Sequence, residues 1–195
     1  MRLNNRLYLL LLAAVGAGRL LELRISRRHQ RALTRRGAQI QPDPEYRWMV
    51  VLHGAVLISS AAEATLLRRR PSRVLAAGMA VPFVLANALR WWVIRTMREH
   101  WNVHVVDSLR LGVVATGPFR WLRHPNYLAL FVELEALPLI SGAWVTALLG
   151  GLAHAWILRR RIRAEESVLM RSASYRAVMG SKPRFLPRLG RRWST

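Results

Sequence analysis

Residues 74–94 read VLAAGMAVPFVLANALRWWVI, with Arg90 as the single charged residue. A helix crosses the roughly 30 Å hydrocarbon core of a bilayer with about 20 apolar residues, so this stretch predicts a full membrane span. Working outward, Tyr46 to Leu67 is a second stretch of the same kind. Leu7 to Leu23 is shorter and carries Arg19 and Glu22 near its end. Asn126 to Ile140 and Ala143 to Leu158 are also apolar, but each is only about 24 Å long at 1.5 Å per residue. Either they extend into flanking polar residues, with Arg159 snorkelling, or they form a hairpin in a locally thinned bilayer. Ser141-Gly142 is the turn between them. The expected fold is all-α and polytopic, with about five transmembrane helices, the last two a helical hairpin, and a cytoplasmic C-terminal tail.

Composition supports that segregated plan. The 195 residues fit one domain, 52% of them are apolar, and the formal charge is +21. Soluble globular domains rarely combine these values. With five crossings, the 24–45 loop, the 95–125 connector and the 159–195 tail share one side and hold 22 Lys or Arg. The N-terminus and residues 68–73 hold 6. Positive-inside bias places the richer side in the cytoplasm, which in a bacterium makes this an inner-membrane protein. One domain then divides into three N-terminal transmembrane helices (1–94), a cytoplasmic connector (95–125), the hairpin (126–158) and the tail (159–195). The MRLNNR start and its apolar run have the order of a signal peptide, but the apolar run continues to Leu23 and retention is expected. No Cys is present, so disulfides, thiol catalysis and Cys metal sites are excluded. Most of the Arg residues orient helices and meet anionic lipid headgroups. No nucleic-acid recognition module is evident, and oligomeric state is not legible.

The punctuated stretch GPFRWLRHPNYLAL, residues 117–130, carries the chemistry. Gly117-Pro118 signals a turn, and Pro125 suits the first turn of a helix. That helix end, with Arg120, Arg123 and His124 beside it, suits an anionic group. Past the next apolar stretch, RIRAEESVL places Glu165 and Glu166 on the same membrane face. A mouth that is cationic on one side and anionic on the other fits a zwitterion with hydroxyls. The competing reading is structural: His124 caps the helix, and the Glu pair meets Arg161 and Arg163 on a solvated face. Intramembrane charge is costly, so at least one of Glu133 and Glu135 should face a cavity or a basic partner. Arg19, Glu22, His53, Glu63, Arg90 and His154 should pair between helices or contact substrate. His100 and His104 have the i,i+4 spacing of a metal pair, but lack an evident third ligand, and no metal is expected.

RHPNY followed by EE after a helical hairpin resembles the integral-membrane isoprenylcysteine carboxyl methyltransferase family, whose signature is RHPxY, a hydrophobic stretch, then EE. The PRFLP tail sits in the family's order. RLLELRISRRHQRALTRRGAQ, MVVLH and LRWWVIRTMREHWNVHVV resemble a bacterial branch that O-methylates alkylpyrones or alkylresorcinols. The resemblance implies S-adenosylmethionine as cofactor, with Arg123, His124, Tyr127, Glu165 and Glu166 lining its site. It also implies a lipophilic small-molecule acceptor at the cytoplasmic membrane face. Glu133 and Arg163 are the candidates for orienting or deprotonating that acceptor. A prenylated cysteine carboxylate and a phospholipid amine are alternative acceptors. An NADPH-dependent membrane sterol or enone reductase, which has an RHPxY-like peptide, and a non-enzymatic membrane scaffold are alternatives of other classes. Two adjacent carboxylates would repel a phosphorylated cofactor, and a scaffold leaves the motif pair unexplained.

Overall fold

The computed structural model describes residues 5–41, 43–67, 71–104, 106–107 and 112–187. Residues 68–70 of the basic loop and 188–195 of the tail lie outside them. Among the described residues the chain forms helices α1 (Asn5–Arg35), α2 (Glu45–Leu66), α3 (Arg73–Met97), α4 (Pro125–Ile140), α5 (Trp144–Leu169) and α6 (Ala173–Met179). The one sheet is a two-residue antiparallel ladder of β1 (Gln39–Ile40) and β2 (Val106–Asp107). It ties the connector to the end of α1.

Two stretches, Glu45–Leu66 and Arg73–His100, are long and apolar enough to cross a membrane. Their large side chains point outward: Ile58 is 73% and Leu85 62% exposed. On α5, Leu152 is 64% exposed. Apolar surface of this extent on three helices suits lipid and not water.

Two helices outrun their apolar stretches. α1 continues from Leu23 to Arg35, and α5 from Leu158 to Leu169. The first is about 46 Å long and the second about 39 Å at 1.5 Å per residue. Of the last two helices, α5 continues into the flanking polar residues, while α4 gains only Pro125 over the expected stretch and has 16 residues. A short turn at Ser141-Gly142 joins them, with Gly142 at φ 74°. No side chain within α5 caps its start. Glu63 of α2 does so instead, accepting from the N–H groups of Thr146 at 2.9 Å and Val145 at 3.3 Å.

Four charges inside the bundle pair with one another. Arg90 of α3 donates to both oxygens of Glu22 on α1, from Nε at 2.6 Å and Nη2 at 2.5 Å. Arg19 joins Glu22 at 2.8 Å and Glu133 of α4 at 2.5 Å. The quartet is neutral and bolts α1, α3 and α4 together. Toward one end of the bundle Tyr8, Leu12, Ala64, Leu137 and Ile140 form an apolar cluster. At the other end Val93, Ile94, Trp101, Phe119, Tyr175 and Met179 pack the connector and α6 onto α3.

Candidate functional site

The site lies where α3 finishes, α4 begins and α5 runs past. Gly117, at φ 56°, opens a 3₁₀ turn over 117–120. A Cβ on it would lie 2.5 Å from the Thr96 hydroxyl oxygen and 2.9 Å from its methyl carbon. Glycine is therefore needed both for the left-handed backbone and for close approach to α3. His124 is the N-cap position of α4 and Pro125 its first helical residue.

The segment 182–187 straps across this turn. The Arg123 N–H donates to the Pro183 carbonyl at 2.9 Å and the His124 N–H to the Arg184 carbonyl at 3.1 Å. Lys182 donates to the Phe119 carbonyl at 2.8 Å.

Adjacent residues on a helix point about 100° apart, and the Glu pair divides accordingly. Glu165 accepts from the Tyr127 hydroxyl at 2.6 Å. Glu166 faces His124 Nε2 at 3.0 Å and Arg123 at 3.5 Å, and Arg184 donates to both its oxygens. Burial pushes the Glu166 carboxyl up. Hydrogen bonds from His124 and Arg184, with the charges of His124 and Arg123, outweigh it and hold the group down at about 2.

A cavity of about 140 Å³ opens beside these groups. Of the residues expected to hold a cofactor, Arg123, His124, Tyr127 and Glu165 line it, and Glu166 braces the strap behind. Arg161, Trp101, Asn102 and Tyr175 line it too, and none of them was singled out from the sequence as a site residue. For Arg161 there was a signal: it stands four residues before Glu165, on the same helix face. It is held by Asp43 at 2.9 Å and the Val103 carbonyl at 2.7 Å, with its guanidinium 5.8 Å from the Tyr127 ring. Buried donors at Arg123 Nε, Arg161 Nε, Trp101 Nε1 and Asn102 Nδ2 make no hydrogen bond. All four belong to residues that line the cavity. His100 and His104 line it as well. Burial lowers the His104 ring below the ordinary histidine value, with Asp43 opposing and Arg161 adding to the shift.

A second cavity, about 600 Å³, lies on the α4–α5 side. Leu128, Phe131, Leu158, Ile162, Phe185 and Leu186 make it apolar, and Arg159, Arg163 and Arg184 are the charged residues in its lining. Tyr127 lines both cavities and is the wall they share. The two residues expected to handle an acceptor part company here. Arg163 lines the apolar cavity, whereas Glu133 is 2% exposed, paired with Arg19, and lines neither cavity.

Residues 77–171, which include the RHPNY and EE peptides, match the model of the isoprenylcysteine carboxyl methyltransferase (ICMT) family. The chain is 28% identical over 163 residues to the uncharacterized protein YpbQ of Bacillus subtilis, covering 84% of this chain and 96% of that protein. It is 30% identical over 158 residues to an uncharacterized protein of Haemophilus influenzae, covering 80% of this chain and 91% of that one.

Proposed function

The chain belongs to the isoprenylcysteine carboxyl methyltransferase family, and on that premise we propose that it methylates an oxygen of a lipophilic acceptor, a phenolic or pyrone lipid, using S-adenosylmethionine. Members of the family are membrane methyltransferases that use this cofactor. The observation that carries the reading is a polar cavity and an apolar one sharing the single wall of Tyr127.

The donor set of the polar cavity fits the cofactor. Its unbonded N–H groups on Arg123 and Arg161 suit a carboxylate. Glu165 offers carboxylate oxygens to an ammonium or to ribose hydroxyls. Trp101, Phe119, Tyr127 and Tyr175 supply aromatic faces for adenine and keep water out. When bound, S-adenosylmethionine supplies an electrophilic methyl group on sulfur. What the protein adds is alignment, because an in-line displacement depends mainly on holding the nucleophile at the right place.

The apolar cavity suits the acceptor. Its lining has three arginines and no acid, and nearby cations favour the ionised form of an acidic hydroxyl. Arg163 then orients an oxyanion without any base, which is the role open to it. Glu133, fixed by Arg19, supports the bundle. We place five crossings with this end of the molecule in the cytoplasm, supported by 22 basic residues on that side against 6 on the other. The connector and tail, 95–125 and 159–195, then carry the cofactor site.

The test is transfer of labelled methyl from S-adenosylmethionine by the detergent-purified protein. An alkylresorcinol, an alkylpyrone, a prenylcysteine and phosphatidylethanolamine would be offered in parallel. Label in the phenol or pyrone is expected. Label only in the prenylcysteine or the phospholipid amine reassigns the acceptor, and label in none of them contradicts the proposal.

A further inference from the structure

Two imidazoles in the bundle have buried ring nitrogens that make no hydrogen bond. His154 of α5 is fully buried and neither of its ring nitrogens has a partner. His53 of α2 buries an Nε2 that has none either. The rings are 5.7 Å apart and nearly perpendicular. Each buried polar group left unmet costs about 1–3 kcal/mol, and apolar side chains of similar shape would avoid that cost. The nearby guanidinium of Arg19 is committed to Glu22 and Glu133.

Position gives these imidazoles a possible use. Phe131 of α4 lies against His154, with ring centroids 5.5 Å apart and planes 31° from parallel. Phe131 and Ala155, the neighbour of His154, line the apolar cavity. Along α4, Phe131 is one turn deeper than Tyr127, about 6 Å at 1.5 Å per residue. One aromatic ring therefore separates His154 from the cavity assigned to the acceptor, one turn below the wall shared with the cofactor cavity.

We propose that His154 and His53 form a second polar recognition point, which hydrogen-bonds an oxygen of the acceptor ring other than the one that is methylated. This rests on the reading of the apolar cavity as the acceptor site. A neutral imidazole has one N–H donor and one acceptor nitrogen. The pair can thus donate to a carbonyl or hydroxyl oxygen and accept from a hydroxyl. A dihydroxyphenyl or hydroxypyrone ring carries such a second oxygen beside its nucleophile, and a simple phenol does not. A change of the Phe131 rotamer is the movement required to admit it. Sites built to bond a hydroxyl discriminate strongly against analogues that lack it, because their own polar groups are then left unpaired.

The experiment compares equilibrium binding of a 5-alkylresorcinol and a 3-alkylphenol of equal chain length to the detergent-purified protein. Wild type, His154→Phe and His53→Phe are measured, with S-adenosylhomocysteine titrated in each preparation. The wild type is expected to prefer the diol by about tenfold or more. That ratio should fall toward one in both variants while S-adenosylhomocysteine affinity stays unchanged. If His154→Phe does not fold, His154→Gln, which keeps polar atoms, takes its place with partial retention of the ratio expected. No preference in the wild type, an undiminished ratio in the variants, or binding of neither lipid overturns the proposal. Failure of the wild type to bind S-adenosylhomocysteine would instead sink the methyltransferase reading, and the lipid ratio would still report on the histidines.

Discussion

Glu165 and Glu166 are neighbours in sequence but face different partners: Glu165 meets Tyr127 at 2.6 Å in the wall of the cavity, while Glu166 is gripped by His124 at 3.0 Å and by Arg184 of the strap. The first faces the cavity, and the second ties the strap to α5. Glu165→Gln should therefore weaken S-adenosylhomocysteine binding about tenfold or more, since a charge-assisted bond is lost, and leave the thermal midpoint nearly unchanged. Glu166→Gln should instead cost about 1–3 kcal/mol of stability. Calorimetric titration beside thermal melts of both variants checks the split. Equal loss of affinity in both would show that the pair acts as one unit.

The Glu166 carboxyl, held at about 2, also sets an acid limit. Its folded value is depressed below the ordinary carboxyl value of about 4.3. The stability it contributes is thus fully present above that ordinary value and lost as pH falls toward 2. Melting temperature against pH should fall across this window in the wild type and fall less steeply in Glu166→Gln. Parallel curves would mean that other carboxylates carry the acid response.

Glu133 offers a sharp contrast between a structural and a chemical role. Its carboxylate is buried against Arg19 at 2.5 Å, and removing one member of a buried ion pair costs about 3–5 kcal/mol. Glu133→Gln should lower stability on that scale, and Arg19→Met in the same chain should restore part of it. Loss of methyl transfer without loss of stability would give Glu133 a place in the chemistry after all.

The turn that presents RHPNY depends on Gly117. Gly117→Ala combines a positive φ with overlap onto Thr96, and strain of this kind costs about 1–3 kcal/mol. The double variant with Thr96→Ser should recover the part due to the Thr96 methyl, and chemical denaturation of the two proteins measures it.

How much of this was legible in the sequence differs by level. The apolar stretches were readable because a membrane span needs an unbroken run, and α2 and α3 end within a residue or a few of their expected limits. The continuations of α1 to Arg35 and α5 to Leu169 were not, since RISRRHQRALTR and RRRIRAEESVL leave the apolar pattern behind while the helix goes on. The site peptides announced themselves by punctuation and charge. Their division of labour did not, because whether Glu165 or Glu166 faces the cavity depends on the rotation of α5 against α4. In the sequence Arg161 reads as a surface partner for the Glu pair, because its contacts with Asp43 and Val103 come from loops far away in sequence.

Arg163 can test whether the two cavities have the separate roles proposed for them. It lines only the apolar cavity of the two, so Arg163→Ala should raise the acceptor KM severalfold and leave S-adenosylhomocysteine affinity as it was. A change in cofactor affinity alone would move Arg163 to the other site.

The most direct test of the methyltransferase account is equilibrium binding of S-adenosylhomocysteine and of NADPH to the purified protein and to its Glu165→Gln variant. The account predicts that the wild type binds the first and not the second, and that the variant loses that affinity. Preference for NADPH, or equal binding of S-adenosylhomocysteine by both proteins, would contradict it.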